Sequence, residues 1–253
     1  MEVCGHFIVM VTTAFGGYAA AEELSATPYR PTVSNPAALS APGWLEFETG
    51  VNRSSDANQR LDTLPYLMKF AFNPDWGILL GGDLLARRTD QDGAVMRGVG
   101  DTSFALKYHH ALSATAALGV EAGFKSPTAK TGLGIGNTNY VLNGIVSMEN
   151  SVAQVDINFG VTQLGTYTGN QGRHELSWAV GASRPVVEKW NLAVELSGVD
   201  RRDTRGTGQF LAALSYEWRK RTVFDFGAAT GLGNTAADWG VFAGVTILWE
   251  KIK

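Results

Sequence analysis

Cysteine is nearly missing: Cys4 stands alone among 253 residues. One thiol forms no intramolecular disulfide and no cysteine-based metal site. Basic charge is not in excess, since 21 Lys and Arg face 24 Asp and Glu for a formal net charge of −3. That balance lacks the electrostatic footprint of a nucleic-acid binder. Charged residues make up only 18% of the chain against 45% apolar, which excludes disorder. No stretch beyond the N-terminus approaches the roughly 18 apolar residues of a spanning helix. Such a chain enters a bilayer only as a closed barrel, because only helices and barrels satisfy their own backbone groups there. Glycine, by contrast, is abundant, with 30 residues. Without a collagen period, that abundance favours strands and tight turns over helices.

Residues 5–17 (GHFIVMVTTAFGG) form a short apolar stretch followed by Tyr18-Ala19-Ala20-Ala21 and then Glu22-Glu23. An apolar core ending in small residues predicts an export signal, residues 1–21, cleaved after Ala21. The usual basic start is missing, Glu2 being the only early charge. Residues 22–43 are rich in Pro, Ser and Ala and read as an irregular arm.

From there on the chain alternates with period 2. In 152–162, Ala153, Val155, Ile157, Phe159 and Val161 share one face, and Gln154, Asp156 and Asn158 the other. Such alternation means strands with one wet and one dry face. About twelve segments follow the rule, near 44–52, 64–73, 76–87, 101–109, 114–125, 139–148, 152–162, 174–183, 190–199, 209–218, 222–230 and 239–249. The second is the weakest, because Pro65 cannot donate to a ladder. Short turns at 73–75, 110–113, 149–151, 184–189 and 219–221 alternate with longer loops at 53–62, 88–100, 126–138, 163–173, 200–208 and 231–238. Short and long connections in alternation, with an even strand count, predict an all-β, antiparallel, up-and-down transmembrane β-barrel over 44–253.

Period alone does not say which face is the lumen. Aromatic placement does. Phe72, Trp76, Tyr108, Trp190, Trp218 and Trp249 lie on apolar faces beside short turns, and Phe124, Tyr140, Phe210 and Trp239 lie on apolar faces at the loop ends. Two aromatic rings bounding an aliphatic band match membrane girdles. The polar face, and hence the lumen, is then Glu46, Glu48, Lys69, Asp83, Arg87, Asp101, Lys107, His109, Glu121, Lys125, Asn143, Asp156, Asn158, Glu175, Glu195, Glu217 and Asp225. Both signs occur, so pairing across the interior is expected. Eight strands give a filled interior and about sixteen an open channel, so twelve lie between.

The arm reads Tyr29-Arg30-Pro31-Thr32-Val33-Ser34-Asn35-Pro36, followed by Pro42-Gly43, Glu46-Phe47-Glu48 and Gly50. Further on come Gly98-Val99-Gly100-Asp101, Lys107-Tyr108, Phe124-Lys125-Ser126-Pro127-Thr128 with Gly132-Leu133-Gly134, and a closing 240–246. Together these resemble the outer-membrane barrel family labelled "MetA-pathway of phenol degradation". The resemblance implies uptake of small solutes, aromatic compounds among them, across a Gram-negative outer membrane. Where the family pattern has Pro-Thr-Gly, this chain has Pro127-Thr128-Ala129. The arm's prolines keep it extended, so it either enters the lumen or lies in the periplasm.

Other motifs weigh less. Gly132-x-Gly134-x-Gly136 is flanked by strands, whereas a dinucleotide fingerprint needs a following helix. His109 and His110 point to opposite faces, so they do not ligate one metal, and no cofactor is expected. His174 and Ser177 offer the parts of an outer-membrane lipid hydrolase, but a spacing of three puts them on opposite faces of a regular strand, out of mutual reach. Arg87, Arg88 and Arg97, with Arg201, Arg202 and Arg205, gather at the long-loop rim, where arginine forks suit lipopolysaccharide phosphates. Salt bridges to Asp90, Asp92, Asp200 and Asp203 are the alternative. The sequence thus supports an outer-membrane channel first. A lipid hydrolase, or a closed barrel acting through its loops, comes second.

Overall fold

The computed structural model describes residues 24–166, 172–233 and 237–252. The expected export signal, residues 1–21, lies outside them. Thirteen strands follow the arm: β1 (Trp44–Ser55), β2 (Gln59–Ala71), β3 (Trp76–Asp90), β4 (Val95–Gly98), β5 (Thr102–Ser113), β6 (Ala116–Ser126), β7 (Asn139–Glu149), β8 (Gln154–Gln163), β9 (His174–Val187), β10 (Trp190–Arg201), β11 (Thr207–Arg219), β12 (Thr222–Leu232) and β13 (Trp239–Lys251). Every pairing is antiparallel, β1 pairs with β13, and β2 pairs with β3. The result is a closed twelve-stranded barrel with β4 as an extra short strand on the outer end of β3. Closure leaves no long strand edge unpaired, which is what hydrocarbon demands.

The barrel is inside-out relative to a water-soluble protein. Glu46 and Lys107 are 0% exposed, whereas Tyr140 and Trp249 on the outer wall are 57% and 63% exposed. Leu142, Phe159, Val180, Leu196 and Phe226 are exposed with them. A continuous exposed apolar band on a closed barrel suits lipid as its surroundings. The aromatic residues pair across strands at its edges: Trp76 with Tyr108, ring centroids 4.8 Å apart, and Trp190 with Tyr216 at 4.9 Å. Trp218, Phe124 and Trp239 are exposed at the same edges. Amphipathic rings belong at headgroup level.

Three expectations change. The 53–62 segment is not a long loop, since β1 and β2 continue to Ser55 and from Gln59 and leave a three-residue turn. Asp56 closes that turn by accepting from the backbone N–H groups of Asn58 and Gln59 at 2.7 and 2.9 Å. The 88–100 segment contains β4. Arg87 does not face the lumen. Leu64 pairs with Leu85 and Pro65 with Asp83, so Leu84 is an extra residue in β3. This β-bulge reverses the alternation beyond it and turns Arg87 to the exposed outer wall. Pro65 sits at the bulge, where the β1–β2 register is also interrupted between Tyr66 and Thr63, so its missing N–H falls at a break in the ladder.

Candidate functional site: the lumen and the arm within it

The arm enters at the short-turn end, where the Ala26 N–H donates to the Lys220 carbonyl at 2.7 Å. It rises along the barrel interior to a bend around Val33–Pro36. It then returns to the same end, where Pro42 bridges to Ala71 before β1 starts. Tyr29, Ser34, Ala37 and Ser40 are buried within the lumen.

The lumen side chains meet the arm's backbone rather than one another alone. An irregular segment has no ladder to satisfy its N–H and C=O groups, so side chains do it. Glu46 accepts from the Thr27 N–H at 3.0 Å, and Glu48 accepts from the N–H groups of Tyr29 and Arg30 at 2.8 and 3.0 Å. Glu195 accepts from the Ser34 N–H and hydroxyl at 2.7 and 2.8 Å. Asn158 accepts from the Asn35 N–H at 3.1 Å and donates to its carbonyl at 2.9 Å, imitating a ladder pair. Ser147 accepts from the Ala37 N–H at 2.7 Å, Lys107 donates to the Pro36 carbonyl at 2.6 Å, and the His109 ring meets the Ala37 carbonyl at 3.2 Å.

The charges are paired around this backbone. Lys69 lies between Glu46, at 2.5 Å, and Glu48, which it also bonds. Lys107 lies 3.0 Å from Glu121, whose carboxylate also accepts from Asn35 at 3.1 Å and Asn143 at 3.2 Å. The Tyr29 ring fits between the two ammoniums, 4.0 Å from Lys69 and 4.1 Å from Lys107. Desolvated cation–π contacts of this kind are the stronger ones. Burial first, and then the charges of Glu121, Glu46 and Glu48, push the Tyr29 phenol well above its ordinary pKa. The hydroxyl therefore stays protonated and donates to the Ala38 carbonyl at 2.9 Å. Arg30 forks onto Asp225, at 3.2 and 3.0 Å. It does so across Gly244, where an added Cβ would lie 2.5 Å from its Nε. Asp156 is held by Ser147 and, at 3.0 Å, by Gln154.

Other polar positions sit at the ends. Asp101 precedes β5 and accepts from the N–H groups of Ala129 and Ile135 at 3.0 and 2.8 Å, so it anchors the 127–138 loop. Asp83 and Lys125 stand beside it at the same mouth, each partly exposed, as is Glu175 on β9. Glu217 is at the opposite end, 3.7 Å from Lys220. His174 is exposed, and Ser177 lines the lumen over Gly160. The strand keeps them on opposite faces, and no nucleophile–base pair forms. No group of three or more His, Cys, Asp or Glu able to hold a metal occurs among the described residues.

Two cavities flank the bend of the arm. The one towards the long loops has a volume of about 540 Å³ and is lined by Val33, Glu121, Asn143, Asn158, Ser177, Ser197 and Gln209. The other, towards the short turns, has about 570 Å³ and is lined by Arg30, Thr32, Ser34, Asp156, Ser183 and Asn191. The contacts of Ser34 with Glu195 and of Asn35 with Asn158 lie between them. The sequence assigns no lumen contact to the arm residues Arg30, Ser34 and Asn35; their signals are the Pro-rich extended composition and the 29–36 motif.

This architecture is the outer-membrane β-barrel. No family model matches the sequence, and no curated protein does. Solved structures match the fold. The COG4313 outer membrane channel from Pseudomonas putida F1 has a TM-score of 0.68 at 11% identity, over 84% of this chain and 98% of that one. The NanC porin has a TM-score of 0.61 at 9% identity, over 80% and 98%. The CymD monoaromatic hydrocarbon channel has 0.53 at 9% identity, over 84% and 90%.

Proposed function

We propose that the protein is a passive channel for small solutes in a Gram-negative outer membrane, with its bore narrowed by its own N-terminal arm. The observation that carries this is the pair of cavities of mixed polar and apolar lining, of about 540 and 570 Å³, on either side of the bend of the arm. A route lined by hydroxyls, amides and paired charges suits diffusion of small, hydrated or weakly polar molecules. The lumen residues Glu121, Asn143, Asn158, Ser197 and Gln209 would act as the selectivity lining. Outer-membrane lipid, lipopolysaccharide included, would surround the apolar band.

A finer reading is membership of the phenol-degradation barrel family, with aromatic compounds among the solutes. Its support is the motif set at 29–36, 98–101 and 124–134 together with the likeness to a monoaromatic hydrocarbon channel. Conductance of the purified protein in planar bilayers, paired with swelling of protein-containing liposomes in small neutral and aromatic solutes, tests both levels. Current or flux is expected. Silence in both assays overturns the channel and favours a closed barrel acting through its loops. Flux of other small solutes without any of aromatic ones overturns only the finer reading.

A further inference from the structure

The bulge that expels Arg87 from the lumen gives it a place in a cationic row on the outer wall. Arg53 on β1 pairs with Asp62 on β2, Asp62 with Arg87 on β3, and Arg87 with Arg97 on β4. Four directly opposed residues on four adjacent strands share one face, with three positive charges and one negative. Arg53, Arg87 and Arg97 are all exposed. Asp62 is shared: Arg53 lies 2.5 Å and Arg60 3.7 Å away, and the Arg87 charge also acts on it. Neither Arg87 nor Arg97 has a carboxylate within ion-pair distance among the described residues. Like charges directly opposed across a ladder repel. One carboxylate, Asp62, thus serves Arg53, Arg60 and Arg87, and the row keeps an excess of positive charge that calls for a further anion.

The level of the row says which anion. On β13 the row continues to Val241, and Trp239 stands one alternation further out. One alternation inward, Val51 and Leu85 are exposed apolar residues of the lipid-facing band. The arginines thus lie at the aromatic girdle on the long-loop side, where hydrocarbon gives way to headgroups. Guanidinium forks bind phosphate oxygens in pairs and give up hydration more readily than ammoniums. The neighbouring Arg88 does not belong to the row, because it is tied to Asp90 and to the Gly132 carbonyl. The second cluster, Arg201, Arg202 and Arg205, does not form such a row either: Arg201 donates to the Gly172 carbonyl, and Arg202 pairs with Asp203.

We propose that Arg53, Arg87 and Arg97 form an external binding site for a phosphate of an outer-leaflet glycolipid headgroup. The site rests on the membrane placement of the barrel but not on its conducting anything. To test it, the protein is reconstituted in phosphatidylcholine vesicles containing a minor fraction of bisphosphorylated lipid A or of the same lipid dephosphorylated. It is then extracted in mild detergent, and the retained lipid is quantified by mass spectrometry. Retention of the phosphorylated lipid over the dephosphorylated one is expected. Each arginine near an anionic headgroup layer is worth about a fivefold change in binding, so Arg53→Gln, Arg87→Gln and Arg97→Gln together should lower retention roughly a hundredfold. Asp62→Asn removes the one negative charge and should raise retention. This second variant keeps the test decisive should the triple variant assemble poorly. Equal retention of the two lipids, or no response to either variant, overturns the site. So does displacement of the lipid by millimolar inorganic phosphate, which would mark a site for the free ion. Bilayer conductance measured on the same preparations reports separately on the channel.

Discussion

Ser34 donates both its backbone N–H and its hydroxyl to a single oxygen of Glu195, at 2.7 and 2.8 Å, across 161 positions of sequence. The two donors fix the bend of the arm to β10 at the boundary between the two cavities. Charge-assisted bonds to a buried carboxylate are roughly twice as strong as neutral ones. Glu195→Ala removes the acceptor for both and frees the bend, so single-channel conductance should rise in planar bilayers. Removing residues 24–41, behind a leader sequence that directs export, should raise it further. A conductance no larger than that of the intact chain in both variants would mean that the arm does not limit the bore.

Gly181 gives an independent handle on the same contact. A Cβ built there collides with the Ser34 hydroxyl oxygen. Gly181→Val should therefore push the arm off β9 while leaving every charged residue in the sequence unchanged, and the valine suits the strand itself. The expected result is a barrel with unchanged heat-modifiable gel mobility and a higher conductance than wild type. If conductance stays level and mobility is normal, the bend has accommodated the branched side chain and the contact is not limiting.

Lys69 holds two carboxylates that are otherwise buried without a cation, Glu46 and Glu48. Removing one partner of a buried charge group costs about 3–5 kcal/mol, because the remaining charges stay desolvated. Lys69→Met should accordingly lower the temperature at which the barrel loses its folded gel mobility, and the triple change with Glu46→Gln and Glu48→Gln should recover much of the loss. Recovery is the informative half of the measurement: a Lys69 that served only as packing would show none.

Much of this architecture is legible in the sequence. Period-2 alternation separates lumen from lipid because one strand residue in two must face each. Glu46, Lys107 and Glu195 on the one side and Trp218 and Trp239 on the other follow from it. Arg87 does not, because one extra residue, Leu84, inverts every face beyond it and leaves no compositional trace. The β1–β2 hairpin was hidden for a related reason. Beyond the apolar band both faces meet polar surroundings, water inside and water or headgroups outside, so Arg53 and Asp62 carry no alternation although they are paired strand residues. The arm is the least legible part. Its partners lie on β1, β2, β5, β6, β7, β8, β10 and β12, and most of its bonds use backbone groups that every residue possesses, so the identities of Ser34 and Asn35 do not announce Glu195 or Asn158 as partners.

Val194 tests the orientation of the whole wall. It lies midway along β10, opposite Ala182 and Ala212, and faces outward among exposed Leu192 and Leu196. An arginine on the lipid face near the bilayer midplane costs about 2–4 kcal/mol, falling towards zero at the interfaces. Val194→Arg should therefore destabilise the barrel by about that amount in urea unfolding from phospholipid vesicles, whereas Val241→Arg, in the outer row that already carries Arg53, should cost little. The comparison between the two removes the intrinsic effect of placing arginine in a strand. An equal cost at both positions would mean that no hydrocarbon slab surrounds the middle of β10, and the exposed apolar band would need another partner.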